Sequence, residues 1–226
     1  MKAVIIVPAL NESPVIFKVL KSLPKKINGS TKVEVLVVDD GSSDNTFQEA
    51  RRARVHVIRH LINRGLGAAI KTGMHWAQKN GADIAVTFDA DGQHNPKDIN
   101  KIIEPIISKK ADVAIGSRFR KKQNVPFDRF IINWLANFVT LLLFGVYSTD
   151  SQSGLRAFSK KALAHIDFKA DRMEFSSEIL LEAKRNNLKV KEVPVSAIYT
   201  QYSRRKGQKN TNAIPVFLKS LIRLAR

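Results

Sequence analysis

At 226 residues, 44% apolar and 26% charged, the chain can bury a large core and is composed like an ordered globular protein, which excludes a disordered or fibrous one. Thirty-eight basic against 20 acidic residues give a net charge of +18, a field that favours phosphorylated small molecules, nucleic acid or an acidic membrane surface. Cysteine is absent, which excludes disulfides, thiolate metal sites and a cysteine nucleophile and suits a reducing compartment.

The opening run Met1-Lys2-Ala3-Val4-Ile5-Ile6-Val7-Pro8 is too short for a signal peptide and predicts a first strand over 3–7. Further β-branched runs predict strands at 33–38, 55–58, 83–88 and 112–116. Between them 12–22, 44–52, 65–79 and 96–108 carry helical patterns, with starts marked by Ser43-Asp44 and Asn95-Pro96. Alternation of this kind implies right-handed crossovers and a mostly parallel sheet. Neither Val4-Ile5-Ile6-Val7 nor Val35-Leu36-Val37-Val38 alternates with polar residues, as strands covered on both faces do not.

The second half has another texture. Residues 131–147 form the longest apolar region, shorter and more interrupted than the roughly 20 residues a membrane span needs. Asn133, Asn137 and Thr140 make a polar stripe at helical spacing, extended one turn earlier by Arg129. The pattern fits an amphipathic helix lying at an interface or one docked on the sheet. Residues 212–226 repeat the design, with Lys219, Arg223 and Arg226 opposite an apolar face. Cations concentrate in this half: Arg118, Arg120, Lys121, Lys122 and Arg129 surround one acid, Asp128, and no acid follows Glu192.

Chemistry gathers at the predicted strand ends. The apolar run before Asp89 stops at Asp89-Ala90-Asp91-Gly92-Gln93-His94, and residues two apart on a strand share a face. Asp89 and Asp91 are thereby placed to converge beyond a strand's carboxyl end, where open α/β sheets bind ligands. Two hard oxygen ligands with open positions suit Mg²⁺ or Mn²⁺ carried with a phosphate-bearing substrate, whereas alone the segment would read as a solvated Asp-Gly turn. It is not alone. Other strands end in Pro8-Ala9-Leu10-Asn11-Glu12, Val38-Asp39-Asp40-Gly41-Ser42-Ser43-Asp44, Asn63-Arg64-Gly65 and Gly116-Ser117-Arg118. Glu12 and Asp39 are suited to accept hydrogen bonds from a base or ribose, and Asp89, Asp91 and Gln93 to hold a metal against a diphosphate. Gly65-Leu66-Gly67-Ala68-Ala69 resembles only in part the GxGxxA type of dinucleotide fingerprint, and it follows the third strand where that motif follows the first. The five histidines show no zinc-like clustering; His94 alone sits beside the carboxylates, as a turn stabiliser or a catalytic group.

Taken together, these segments resemble the family 2 glycosyltransferases of GT-A fold. Gly116-Ser117-Arg118 and Asp150-Ser151-Gln152-Ser153-Gly154-Leu155-Arg156-Ala157-Phe158 narrow the likeness to the polyprenyl-phosphate (dolichyl-phosphate) mannosyl- and glucosyltransferase branch, over about residues 3–209. The resemblance implies an α/β, Rossmann-like, mostly parallel central sheet flanked by helices, with amphipathic helices in the C-terminal half. It implies a nucleotide-sugar-binding half over 1–117, an acceptor half over 118–210 and a basic amphipathic helix over 211–226. By position, Pro8, Ala9, Glu12, Asp39 and Ala90 would contact the donor. Asp89 and Asp91 would meet the metal and diphosphate, with Gln93 a further metal ligand. Arg118, Arg129 and Asn133 fall where the branch binds the acceptor phosphate. Arg204 matches an arginine that closes over the donor, although Gly207-Gln208-Lys209 departs from the branch's Arg-x-x-Gly-x-Ser-Lys and leaves Arg205 as the other alignment.

The implied partners are a GDP- or UDP-sugar, a polyprenyl phosphate, an anionic membrane surface and a membrane-embedded partner protein, at the cytoplasmic face of the membrane. A phosphate monoester is already anionic and needs placement by guanidinium groups rather than a base. A sugar hydroxyl acceptor would need a general base, for which Asp150, Glu174 and Glu178 are available. Nucleic acid is disfavoured as a partner: no basic strand is interleaved with aromatics, and a carboxylate-lined edge repels a phosphate backbone.

Overall fold

The computed structural model describes residues 1–27, 31–120, 127–198 and 202, the side chains of 31, 127–129 and 143 excepted. Its eight strands are β1 (Lys2–Ala9), β2 (Lys26–Ile27), β3 (Thr31–Asp39), β4 (His56–Arg59), β5 (Ile84–Thr87), β6 (Val113–Ser117), β7 (Arg156–Ser159) and β8 (Val190–Pro194). The helices are α1 (Ile16–Ser22), α2 (Thr46–Arg52), α3 (Leu66–Lys79), α4 (Asp98–Ile107), α5 (Phe127–Phe144), α6 (Lys160–His165) and α7 (Phe175–Arg185). One sheet runs through both halves in the order β2-β3-β1-β5-β7-β6-β8, with β4 also paired to β3.

Every strand and helix expected up to residue 116 is present. The first helix starts late, at Ile16, because 11–15 form a turn in which Asn11 takes φ 54° and the Glu12 carbonyl accepts from the amides of Val15 and Ile16. The β1 residues alternate between two buried clusters. Ala3, Ile5 and Val7 face α1 and α4, while Val4 and Ile6 face α3, α6 and α7. Coverage on both faces explains the unbroken apolar run.

The sheet is parallel where β1 meets β3 and β5, where β3 meets β4 and where β6 meets β8. Strand β7 lies antiparallel between β5 and β6, and β2 antiparallel to β3. No strand was expected at 156–159, four residues that open on an arginine and carry no clear alternation.

Helix α5 is docked by its polar stripe, and its apolar side faces outward. Asn133 and Thr140 are buried, the Asn137 amide donates to the Thr149 carbonyl at 2.8 Å and accepts from the Ser151 amide at 2.9 Å, and Thr140 Oγ1 lies 2.8 Å from Ser177 Oγ. The loop and helix beneath offer hydrogen-bonding groups, so the stripe is satisfied inward. Phe130, Ile131, Trp134, Phe138 and Leu142 are exposed as a result. Among the described residues, no helix is long and apolar enough to cross a membrane.

The Gly65/Gly67 pair is explained by packing. Gly65 takes φ 107°, and a Cβ there would lie 2.4 Å from the Asp171 carbonyl oxygen; one on Gly67 would lie 2.1 Å from that of Ala170. The α3 N-terminus receives the Asp171 carbonyl, which accepts from the Ala68 amide at 3.1 Å, where a dinucleotide fingerprint would bring a pyrophosphate. Gly67→Ala is expected to destabilise the fold by about 1–3 kcal/mol, because backbone atoms must shift to admit the methyl. Its better helix propensity recovers at most about 1 kcal/mol. A denaturant midpoint equal to that of the parent would show that the 170–172 segment yields freely.

Candidate active site

The acidic edge begins where β5 stops. Thr87 ends the strand, Phe88 is buried, and Asp89 and Asp91 stand on the following turn, which Gly92 closes at φ 75°. Each carboxylate has its own holder. His94 Nε2 donates to Asp89 Oδ2 at 2.9 Å, while Gln93 donates to Asp91 from its backbone amide at 2.9 Å and its side-chain amide at 2.7 Å. His94 is itself buried, edge-on to Phe88 with ring centroids 5.6 Å apart. It holds Asp89 in place through this contact.

The two acids have opposite electrostatics. Burial works against ionisation of Asp89, but the His94 hydrogen bond and the charges of His94, Arg118 and Arg156 outweigh it and hold its pKa below the usual range. Asp91 is pushed up to about 6, first by burial and then by the charge of Asp89. Two crowded carboxylates, one of them reluctant to ionise, make a site that a divalent cation would relieve. Among the described residues no three acidic or histidine side chains cluster into a closed metal cage. An open two-carboxylate site completed by substrate phosphates is how Mg²⁺ is commonly held, so the residues fit the group.

The raised value has a testable sign. Between the ordinary 3.8 and about 6, the folded protein keeps a proton on Asp91 that the unfolded chain has released. This group's contribution is therefore present at low pH and lost as pH rises through about 6. In metal-free protein, the stability of the parent relative to Asp91→Asn should fall across that window. A difference that stays flat with pH would refute the shift.

On the other side of β7, β6 ends in Ser117 and delivers Arg118. Its guanidinium grips Asp150 through Nε to Oδ2 and Nη2 to Oδ1, both at 2.8 Å, and its backbone amide also donates to Oδ2 at 3.0 Å. Asp150 is wholly buried, and Asn133 Oδ1 lies 3.5 Å from Nη2. Glu192, from β8, accepts from Ser148 Oγ and from the Thr149 amide and so shapes the turn that carries Asp150. These contacts bear on the hydroxyl-acceptor alternative. Asp150 is committed to Arg118 and Glu178 accepts from the amides of Lys169 and Ala170, which leaves the half-buried Glu174, just before α7, as the remaining candidate. Asn133 also opens onto a groove of about 260 Å³ lined by Phe119, Phe130, Trp134, Phe138, Leu141 and Tyr147.

The expected donor residues gather at the ends of β1 and β3, where Ala9 pairs with Asp39 and Pro8 with Val38. Pro8, Ala9 and Ala90 are buried. Glu12 is buried too, and its Oε2 accepts from the Tyr202 hydroxyl at 2.8 Å. In the Asp39-Asp40 pair the roles divide. Asp40 accepts from the amides of Arg64 and Gly65 and pairs with His60 Nδ1 at 2.7 Å, so it braces the loop. Asp39 Oδ1 accepts from the Ser42 amide, whereas Oδ2 lies 3.1 Å from Arg59 Nε in an ion pair but has no aligned hydrogen bond. A buried acceptor in that state suits a further donor.

Sequence reasoning did not assign Arg59, Arg156 or the pairing of Asp150 with Arg118. A cation inside the apolar stretch Leu155-Arg156-Ala157-Phe158 was the one available signal. Arg204 and Arg205, Lys121 and Lys122, and residues 212–226 lie outside the described residues, as does the Arg129 side chain.

Residues 4–167 match the family described as Glycosyl transferase family 2. A UDP-N-acetylglucosamine–dolichyl-phosphate N-acetylglucosaminyltransferase of Methanococcus voltae is 40% identical over 240 residues, covering 96% of this chain and 94% of that one. The polyprenol monophosphomannose synthase of Mycolicibacterium smegmatis is 31% identical over 211 residues, covering 86% and 77%. Among solved structures, glucosyl-3-phosphoglycerate synthase from Mycobacterium tuberculosis, in complex with Mn²⁺, UDP and glucosyl-3-phosphoglycerate, superimposes with a TM-score of 0.71 at 20% identity, covering 97% of this chain and 79% of that one.

Proposed function

The chain belongs to glycosyltransferase family 2 and is a glycosyltransferase, and we propose that it moves one sugar from a nucleotide diphosphate donor to a polyprenyl phosphate, with inversion, at a membrane surface. One observation carries this reading. Arg118 is locked onto the buried Asp150 with Nη2 3.5 Å from Asn133 Oδ1, and Asn133 lines a largely apolar groove between α5 and the 147–149 loop. A fixed guanidinium one side chain away from a largely apolar groove suits an anionic head with a hydrocarbon tail. Two relatives are named for acceptors of this kind.

In this reading residues 1–117 serve the donor and 118–210 the acceptor. Glu12 and Asp39 accept hydrogen bonds from the nucleoside beside Pro8, Ala9 and Ala90. Asp89 and Asp91 hold Mg²⁺ or Mn²⁺, with Gln93 as a further ligand through its amide oxygen, since its nitrogen is committed to Asp91. Such a cation, when bound, neutralises charge on the departing diphosphate. Arg118, Arg129 and Asn133 hold the acceptor phosphate so that its oxygen faces the anomeric carbon, and Arg204 closes over the donor. Attack by one nucleophile inverts the configuration. The deciding experiment is a panel of GDP- and UDP-sugars with Mg²⁺ or Mn²⁺, scored against polyprenyl phosphate and free glycans. Transfer to glycans alone would overturn the proposal.

Membrane attachment is a separate part of it, through the exposed side of α5 and residues 212–226, at the cytoplasmic face, directly or beside an embedded partner. Trp134 and Phe138 are exposed and stack with centroids 5.8 Å apart. The double variant Trp134→Glu, Phe138→Glu should lose most cosedimentation with anionic vesicles while stability changes by about 0.5 kcal/mol or less per site. Absence of vesicle binding by the parent at low salt would remove this part.

A further inference from the structure

Arg156 is a fully buried cation that the proposed reaction does not use, and burying one is costly unless its donors are matched. They are matched by backbone. Nε donates to the Ser153 carbonyl at 2.9 Å, Nη1 to that of Ser176 at 2.9 Å and Nη2 to that of Ser151 at 2.6 Å. Two of these carbonyls belong to the 150–155 loop and the third to the first turn of α7.

The residue's place in the sheet gives those bonds a consequence. In the register of β7, Arg156 is opposite Thr87 on β5 and Ile115 on β6, the strands that lead to Asp89 and Arg118. The loop it grips is stitched to both. Thr87 Oγ1 donates to the Gly154 carbonyl at 2.7 Å, and the Gly116 amide to that of Leu155 at 2.8 Å. On one side the loop abuts Asp89 so closely that a Cβ on Gly154 would lie 2.1 Å from Oδ2; on the other it presents Asp150 to Arg118.

We propose that Arg156 is a positioning residue that, through the backbone of the 150–154 loop, holds the donor-side Asp89 and the acceptor-side Arg118 in fixed relation. It touches no substrate, and the inference rests on the donor and acceptor assignments made above. A planar guanidinium reaches three carbonyls in different directions; a lysine ammonium keeps the charge but not that fork.

The test is Arg156→Lys in the full chain, read by two ligands apart from turnover: Mn²⁺ by electron paramagnetic resonance and farnesyl phosphate by calorimetry. The folded variant should lose about tenfold in affinity for each, as when the support of a ligating group is removed. A purely structural role would lower the melting temperature and leave both affinities of the folded protein unchanged, and that result overturns the proposal. Loss of one affinity alone overturns it too, since the coupling is its content. Should Arg156→Lys not fold, Arg156→Gln carries the same test; if neither folds, Arg156 is a folding residue and the proposal fails. A parent that binds neither probe would sink the functional reading instead, so the two failures are distinguishable.

Discussion

Asp91→Asn is expected to cut turnover by about a thousandfold or more while leaving the metal-free protein as stable as the parent, or more so, at neutral pH. The two effects have one cause. Burial and the charge of Asp89 resist ionisation of Asp91, so a neutral amide relieves repulsion in the resting protein. The same amide removes an anionic ligand from the open metal site, and a divalent cation supplies several kcal/mol of charge stabilisation to a departing diphosphate. Turnover measured across a Mn²⁺ titration, beside denaturant unfolding in chelator, reads both. Normal turnover at saturating metal would show that the site is elsewhere, and a large loss of stability would show that Asp91 is a structural acid.

The second large effect is Arg118→Ala. Asp150 is wholly buried and accepts three hydrogen bonds from Arg118, so truncation strands a carboxylate without its cation. Breaking one partner of such a pair costs about 3–5 kcal/mol. The backbone amide bond survives truncation, so the lower end is expected. Acceptor use should fall with it, seen as a raised KM for polyprenyl phosphate at unchanged donor KM. Adding Asp150→Asn separates the two losses: the double variant should recover much of the stability and none of the acceptor use. Recovery of both would mean that Arg118 serves only to neutralise Asp150.

A good part of this arrangement was legible from residues alone. Unbroken runs such as Val4-Ile5-Ile6-Val7 announced doubly covered parallel strands, and the carboxylates marked their exits. Asp91 feels the charge of Asp89, but the strand alternation expected to aim the pair does not reach them. The strand ends at Thr87, and both acids stand on the turn that follows it. The polar stripe on α5 was visible, but which way it faced was not. Amphipathic spacing defines two sides of a helix and leaves open which one the neighbouring loop satisfies; here Thr149 and Ser151 draw the polar side inward.

By itself the sequence determined the order of strands and helices up to residue 116 except the two-residue β2, the family likeness and the acids at the sheet edge, because those follow from local periodicity and short motifs. Only the tertiary structure decided that β7 inserts antiparallel between β5 and β6, that Asp150 belongs to Arg118, and that Arg156 is buried beneath the loop between them. Those pairings join residues far apart along the chain or on different strands. They arise where buried charges and carbonyls must find partners as water is excluded, a condition that exists only once the layers have closed.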